Sequence, residues 1–329
     1  MFPIGRRLLP ILQLTRMALA FTALADSFCA LMLSETRAGV SWTAISPVRF
    51  AALAMVSAGL YGFGMSLNDI IDRRRDQQLA SHRPLPSGRI GLVAAHVICV
   101  LLAAMATVGT LVYAAGNPDG DMSLILFCFT LTMIVFYDLA GKYLVAPGLL
   151  TLGLIRLFNA ALPAPRMPVP WQPMLLLNHI VLVSTVAYQW EQKRPPLTKR
   201  HWWAVLGGLA AMDGLLIFAV AWRRHTASAL AIGPGLLWPA AAAAAFVGAA
   251  VIIRKRNRNA RQAGGTLMLT GLLWLIVYDA AFVAGYIGLA PAGLILCLLP
   301  VAYLSVQLMR WWSGILALSQ RPAYKRIET

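Results

Sequence analysis

Residues 45–76 read ISPVRFAALAMVSAGLYGFGMSLNDIIDRRRD, an apolar run that turns abruptly into a cluster of acids and arginines. The apolar part, 45–67, has the length of about 20 residues that a helix needs to cross a bilayer. Similar runs recur at 14–34, 90–114, 122–137, 147–162, 172–190, 202–221, 229–253, 265–288 and 291–317. That predicts an all-α, polytopic transmembrane bundle of ten spans. Nine is the alternative, because only Ala290 and Pro291 separate the last two runs and the fourth and fifth are short. Composition agrees: 59% of the 329 residues are hydrophobic and 12% charged, with a mean hydropathy of +0.70. A soluble domain has about 25% charged residues, so this chain cannot cover its surface with polar groups. Residues 1–329 are read as a single membrane domain.

The net charge of +16 invites a nucleic-acid reading, but the basic residues gather on no single face or domain. They punctuate the apolar runs instead. With the N-terminus in the cytoplasm, the inner loops and termini hold Arg6, Arg7, Arg73, Arg74, Arg75, Arg83, Arg89, Lys142, Lys193, Arg194, Lys199, Arg200, Arg254, Lys255, Arg256, Arg258, Arg261, Arg321, Lys325 and Arg326. The outer loops hold Arg37, Arg166, Arg223 and Arg224, a bias of twenty to four. Positive-inside asymmetry of that size predicts cytoplasmic termini and a cytoplasmic acidic end. Arg6 and Arg7 before an apolar stretch ending in Ala23-Leu24-Ala25 have the outline of a signal peptide, but Arg16 interrupts that stretch and apolar character resumes to Leu33. A retained first helix is the better reading. The cysteines Cys29, Cys99, Cys128 and Cys297 all fall in apolar runs without metal-site spacing.

If the second helix continues past residue 67, Asn68, Asp69, Asp72 and Asp76 recur at steps of three and four and share a face. Three carboxylates on one face repel one another. A divalent cation relieves that repulsion, and Mg²⁺ suits a few carboxylates that leave positions for water and substrate phosphate. The plainer alternative is a solvated helix end neutralised by Arg73, Arg74 and Arg75. The Arg83-Pro84-Leu85-Pro86-Ser87-Gly88 that follows argues for an ordered turn.

Asn68-Asp69-x-x-Asp72-x-x-x-Asp76 followed by this turn resembles the first aspartate-rich motif of the UbiA superfamily of intramembrane prenyltransferases. The resemblance implies a helical bundle whose cytoplasmic end binds Mg²⁺ and a prenyl diphosphate, with Asn68, Asp69, Asp72 and Asp76 as metal ligands. Tyr137-Asp138-Leu139-Ala140-Gly141-Lys142 resembles the family's tyrosine and lysine element, and Gly153 to Asn159 a pattern in its fifth helix. This implies roles for Asp72, Lys142 and Tyr137 in catalysis, and for Arg83, Arg156, Asn159 and Tyr188 in binding substrate. Lys142 is also an ordinary loop cation; Arg156, deep in an apolar run, needs a partner.

The chain departs from the family at its second aspartate-rich motif. Val186-Ala187-Tyr188-Gln189-Trp190-Glu191-Gln192-Lys193-Arg194-Pro195 keeps one carboxylate, Glu191, as the remaining candidate ligand. The expected activity is Mg²⁺-dependent prenyl transfer from a prenyl diphosphate to a lipophilic or aromatic acceptor at the membrane. Alternatives are a terpene cyclase or a phosphoribosyl transferase on the same fold, and a non-enzymatic lipid carrier or transporter. Asp26, Asp213 and Asp279 lie within spans and are expected to line a cavity or to pair with Arg16, Arg49 or Arg310.

Overall fold

A computed structural model describes residues 3–81, 83–193, 195–223 and 232–319, with backbone alone for 3–7 and 313–319. Arg194, Arg224, Arg321, Lys325 and Arg326 lie outside the described residues. The helices are α1 (Pro3–Thr15), α2 (Ala20–Arg37), α3 (Pro47–Ile71), α4 (Arg73–Leu79), α5 (Leu92–Ala115), α6 (Gly120–Leu139), α7 (Val145–Ala161), α8 (Trp171–Trp190), α9 (Lys199–Trp222), α10 (Leu237–Arg256), α11 (Ala260–Tyr286), α12 (Leu289–Leu296) and α13 (Leu298–Ser319). Eight described segments are long and apolar enough to cross a bilayer; α7 is a shorter apolar helix. The 20 residues of α8 include Gln172, Asn178, His179, Ser184 and Gln189, which lower its hydropathy. With α7 and α8 the order reproduces the ten expected runs.

Three boundaries differ from expectation. The fourth run is a full 20-residue helix, α6. The last two runs part at Gly288, whose φ of 146° suits glycine, rather than at Ala290 and Pro291. The final span is broken at Cys297 into α12 and α13. Local chemistry accounts for several starts: the Ser46 side chain accepts from the Val48 amide ahead of Pro47 in the first turn of α3, and Thr198 and His201 form a capping box at α9.

α2 and α11 are central, and α5, α9 and α10 form the lipid-facing periphery. The apolar window of Met17–Arg37 is 67% buried and that of Pro234–Arg256 only 11%. Lipid supplies no hydrophobic drive between helices, so close packing and polar contacts must hold the bundle together. At the α3–α5 crossing, a Cβ on Gly59 would stand 2.7 Å from the Leu102 carbonyl oxygen, and one on Gly109 would stand 2.7 Å from that of Ala52. Polar contacts join α2, α3 and α7: Ser27 and Ser57 hydroxyls lie 2.6 Å apart, Ser57 donates to Asn159 Oδ1 (3.1 Å), and Asn159 donates to the Ala23 carbonyl (3.1 Å). Buried Tyr113 on α5 donates to the Pro163 carbonyl at 2.7 Å.

The intramembrane acids do not find the arginines expected for them. Asp26 pairs with Arg156, Asp213 accepts from Asn178 and Asp279 accepts from Gln172. Arg49 instead pairs with Glu35 (2.8 Å) and donates to Tyr113. All four cysteines are free; Cys29 and Cys99 are buried, Cys128 and Cys297 exposed.

Candidate active site

At one end of the bundle α3 runs almost unbroken into α4. Asp72 ends the first and starts the second, and helical hydrogen bonds continue across it, from the Asp72 amide to Asn68 (2.9 Å) and from the Asp76 amide to Asp72 (2.8 Å). The face expected from the spacing therefore forms. Asp69, Asp72 and Asp76 are 3%, 4% and 3% exposed, while Arg74 and Arg75 point outward.

The turn after α4 supplies a cation to this face. The Ser87 amide returns to the Arg83 carbonyl, Ile90 to Pro84, and Gly88 adopts a φ of 72° that favours glycine. Leu85 and Ile90 bury against Leu14 and Ala95. The docked turn holds Arg83 Nη1 2.6 Å from Asp76 and 3.5 Å from Asp69. A second cation comes from the 3₁₀ turn Gly141–Tyr143 between α6 and α7: Lys142, its side chain only 8% exposed, lies 2.9 Å from Asp72 Oδ1 and donates to Asn68 Oδ1 at 3.3 Å. Tyr137 is half-buried near Asp72, Arg16 and Arg75.

Two residues absent from the sequence-derived site also reach this cluster. Arg16, between α1 and α2, approaches Asp69 at 3.4 Å from a left-handed backbone (φ 46°, ψ 36°), a conformation that costs a non-glycine residue roughly 1–2 kcal/mol. Its signal was a lone cation interrupting the first apolar run. Asp138, 2% exposed, lies close to Lys142, Asp72 and Asp69. Its signal was a carboxylate four residues before Lys142.

Other candidates lie elsewhere. Arg156 is eleven residues into α7, about 16 Å along the axis from its start, and its Nη2 donates to Thr22 at 2.6 Å. Asn159 is a further three residues along, among Ala23, Ser27 and Ser57. Tyr188 donates to the Pro195 carbonyl (2.6 Å). Glu191 pairs with Lys193 at 2.9 Å and packs on Gly264 of α11; no described contact joins it to the acidic face. A shallow cleft beside Gln172, Ala30 and Ala160 is lined by none of the acidic-end residues.

Among the described residues no three His, Cys, Asp or Glu side chains converge as a ready metal cage. The donor set nevertheless fits Mg²⁺. All its members are oxygens, and Mg²⁺ commonly takes one or two carboxylates with water and phosphate completing its shell. The acids here are neutralised by Arg16, Arg75, Arg83 and Lys142. Such a cluster can exchange partners, acids to a metal and cations to an anionic ligand, without exposing an unpaired charge.

Comparisons with known proteins bear on the fold. No curated protein matches the sequence. A solved structure of a digeranylgeranylglyceryl phosphate synthase aligns over 85% of this chain and 99% of its own, at 19% identity and a TM-score of 0.58, a likeness of fold. A UbiA homolog from Archaeoglobus fulgidus, solved with GPP and Mg²⁺, aligns over 91% of this chain and 99% of its own, at 13% identity and a TM-score of 0.46. Residues 19–162 match the model of the UbiA prenyltransferase family, a stretch that contains the acidic face, the turn at 83–88 and Lys142. Over residues 19–162, a little under half of its length, this all-helical chain is similar to the UbiA prenyltransferase family.

Proposed function

We propose that the chain transfers a prenyl group from a prenyl diphosphate to a lipophilic or aromatic acceptor in the membrane, with Mg²⁺ as cofactor. One observation carries the reading: three buried carboxylates share one helix face at one end of the bundle and are met there by the cations Arg16, Arg83 and Lys142. A soluble anion meets an apolar chain at such a place.

Asn68, Asp69, Asp72 and Asp76 would hold Mg²⁺, which when bound takes up charge on the departing diphosphate. Lys142 and Arg83 turn from their carboxylates to the diphosphate oxygens, with Arg16 as a third donor. Breaking the allylic C–O bond leaves a carbocation, and the half-buried ring of Tyr137 offers it a π-face. Lipid-facing walls keep water from capturing it. Glu191, the carboxylate left of the second motif, would be the ligand of a second metal ion from the end of α8. Arg156 and Asn159 line the path of the chain deeper in the bundle, and Tyr188 flanks the entrance. The basic bias of the loops at this end supports a cytoplasmic site.

The test is to incubate membranes containing the protein with labelled prenyl diphosphates, Mg²⁺ and a lipid extract. A labelled, Mg²⁺-dependent lipophilic product is expected. Release of diphosphate with cyclisation of the prenyl chain would favour the cyclase reading. No turnover of any prenyl diphosphate, with the protein folded, would leave the carrier.

A further inference from the structure

Midway along the bundle, Asp26 of α2, Arg156 of α7, Gln172 of α8 and Asp279 of α11 meet in a buried cluster whose two acids take no part in the chemistry above. Asp26 and Asp279 are both 0% exposed and Arg156 is 8% exposed. Arg156 Nε lies 2.6 Å from Asp26 Oδ2, an ion pair rather than a well-directed hydrogen bond. Gln172 donates to Asp279 Oδ1 at 2.8 Å. The two carboxyl groups lie within hydrogen-bond reach of each other, with Asn159 beside Asp26. No donor with hydrogen-bond geometry reaches Asp26 Oδ1 or Asp279 Oδ2.

Charge and hydrogen-bond accounting point the same way. Two carboxylates and one guanidinium would leave a net negative charge in the middle of the bundle, where an uncompensated charge is costly. Other titratable groups nearby supply no second cation. His179 is hydrogen-bonded at Nε2 to the Gly271 carbonyl (3.0 Å) and at Nδ1 to the Tyr278 hydroxyl (3.1 Å), contacts that a neutral ring fully satisfies. Cys29 gives its S–H to the Asp279 carbonyl at 3.5 Å, and Tyr61 lies near Arg156; neither is a cation. A single added proton resolves both deficits.

We infer that Asp26 and Asp279 form a buried proton-binding site in which Asp279 is the neutral acid, its Oδ2–H donating to Asp26 Oδ1. Asp279 Oδ1 is then the carbonyl oxygen that accepts from Gln172, and Asp26 is the carboxylate that faces Arg156. Every polar atom of the two acids gains a partner, and the trio sums to zero charge. The site ties α8 and α11, both wholly beyond residues 19–162, to α2 and α7 within them.

Infrared difference spectroscopy of the full-length protein in detergent at neutral pH tests the assignment. Wild type should show the C=O stretch of a protonated carboxylic acid, above the amide I band. Asp279→Asn should lose that band yet keep the wild-type melting temperature, because its amide N–H replaces the O–H toward Asp26. Gln172→Leu should retain the band but move it to higher wavenumber, since the carbonyl oxygen loses its donor. If Asp279→Asn does not accumulate, the wild-type spectrum and the Gln172→Leu shift still decide. No acid band in wild type, or a band unchanged in both variants, overturns the inference. So does a wild-type melting temperature that rises with Na⁺ in the absence of the band, which would mean two ionised carboxylates sharing a metal cation.

Discussion

Asp72 joins more of the acidic end than any neighbour: it links α3 to α4, faces Lys142 at 2.9 Å and accepts from Arg75 at 3.4 Å. Asp72→Ala removes a metal ligand and leaves buried Lys142 without its nearest carboxylate. Turnover should fall at least about a hundredfold, roughly 2.7 kcal/mol of barrier. The check is product formation normalised to protein that elutes as a single species in detergent; retained activity would remove the metal assignment. Glu191 poses a different question, because its visible partner is Lys193. If it is a second metal ligand, Glu191→Gln should slow turnover about tenfold, some 1.4 kcal/mol, and shift the Mg²⁺ titration. If it is only a surface pair worth about 0–1 kcal/mol, the Mg²⁺ titration will be unchanged. The four acidic-face residues were legible from their spacing, because a helix brings steps of three and four together whatever surrounds it. Arg16 and Asp138 were not, because their approach depends on how α2 and α6 lie against α3.

Among the elements, the α3–α5 crossing has the least room. A Cβ at Gly59 meets backbone and Cβ atoms of Leu102 and Ala106 at 2.7–2.8 Å, none of them the end of a flexible side chain. Gly59→Ala should therefore force the helices apart and cost about 1–3 kcal/mol. Its melting temperature in detergent should drop. Gly91→Ala, where an added Cβ meets nothing within 4 Å, should leave it unchanged. The loss falls on function as well, because α3 carries Asn68 and Asp69 and its C-terminus aims the acidic face. Span positions could be read from hydropathy to within a few residues. The break at Gly288 falls at the end of the run read as 265–288, whereas the break at Cys297 could not be read, since it lies inside uninterrupted apolar sequence.

For the molecule as a whole, ten membrane crossings would put both ends of the chain on one side, and we propose that this side is the cytoplasm. Tags at residues 1 and 329 should both be accessible from the cytoplasm in protease-protection assays of sealed vesicles. Protection of one end alone would break the topology read from the basic loops. What the sequence by itself determined is the helical, membrane-spanning class and the location of the acidic motif. Both follow from local properties: the hydropathy of a run, and the periodicity of a single helix. Only the tertiary structure decided the partners of the charges. Lys142 meets Asp72 across 70 residues and Arg156 meets Asp26 across 130, while Asp279, far outside the motif region, completes a buried site with Asp26. Such pairings depend on which helix faces lie inward and at what depth, and the packing of all the helices together sets both.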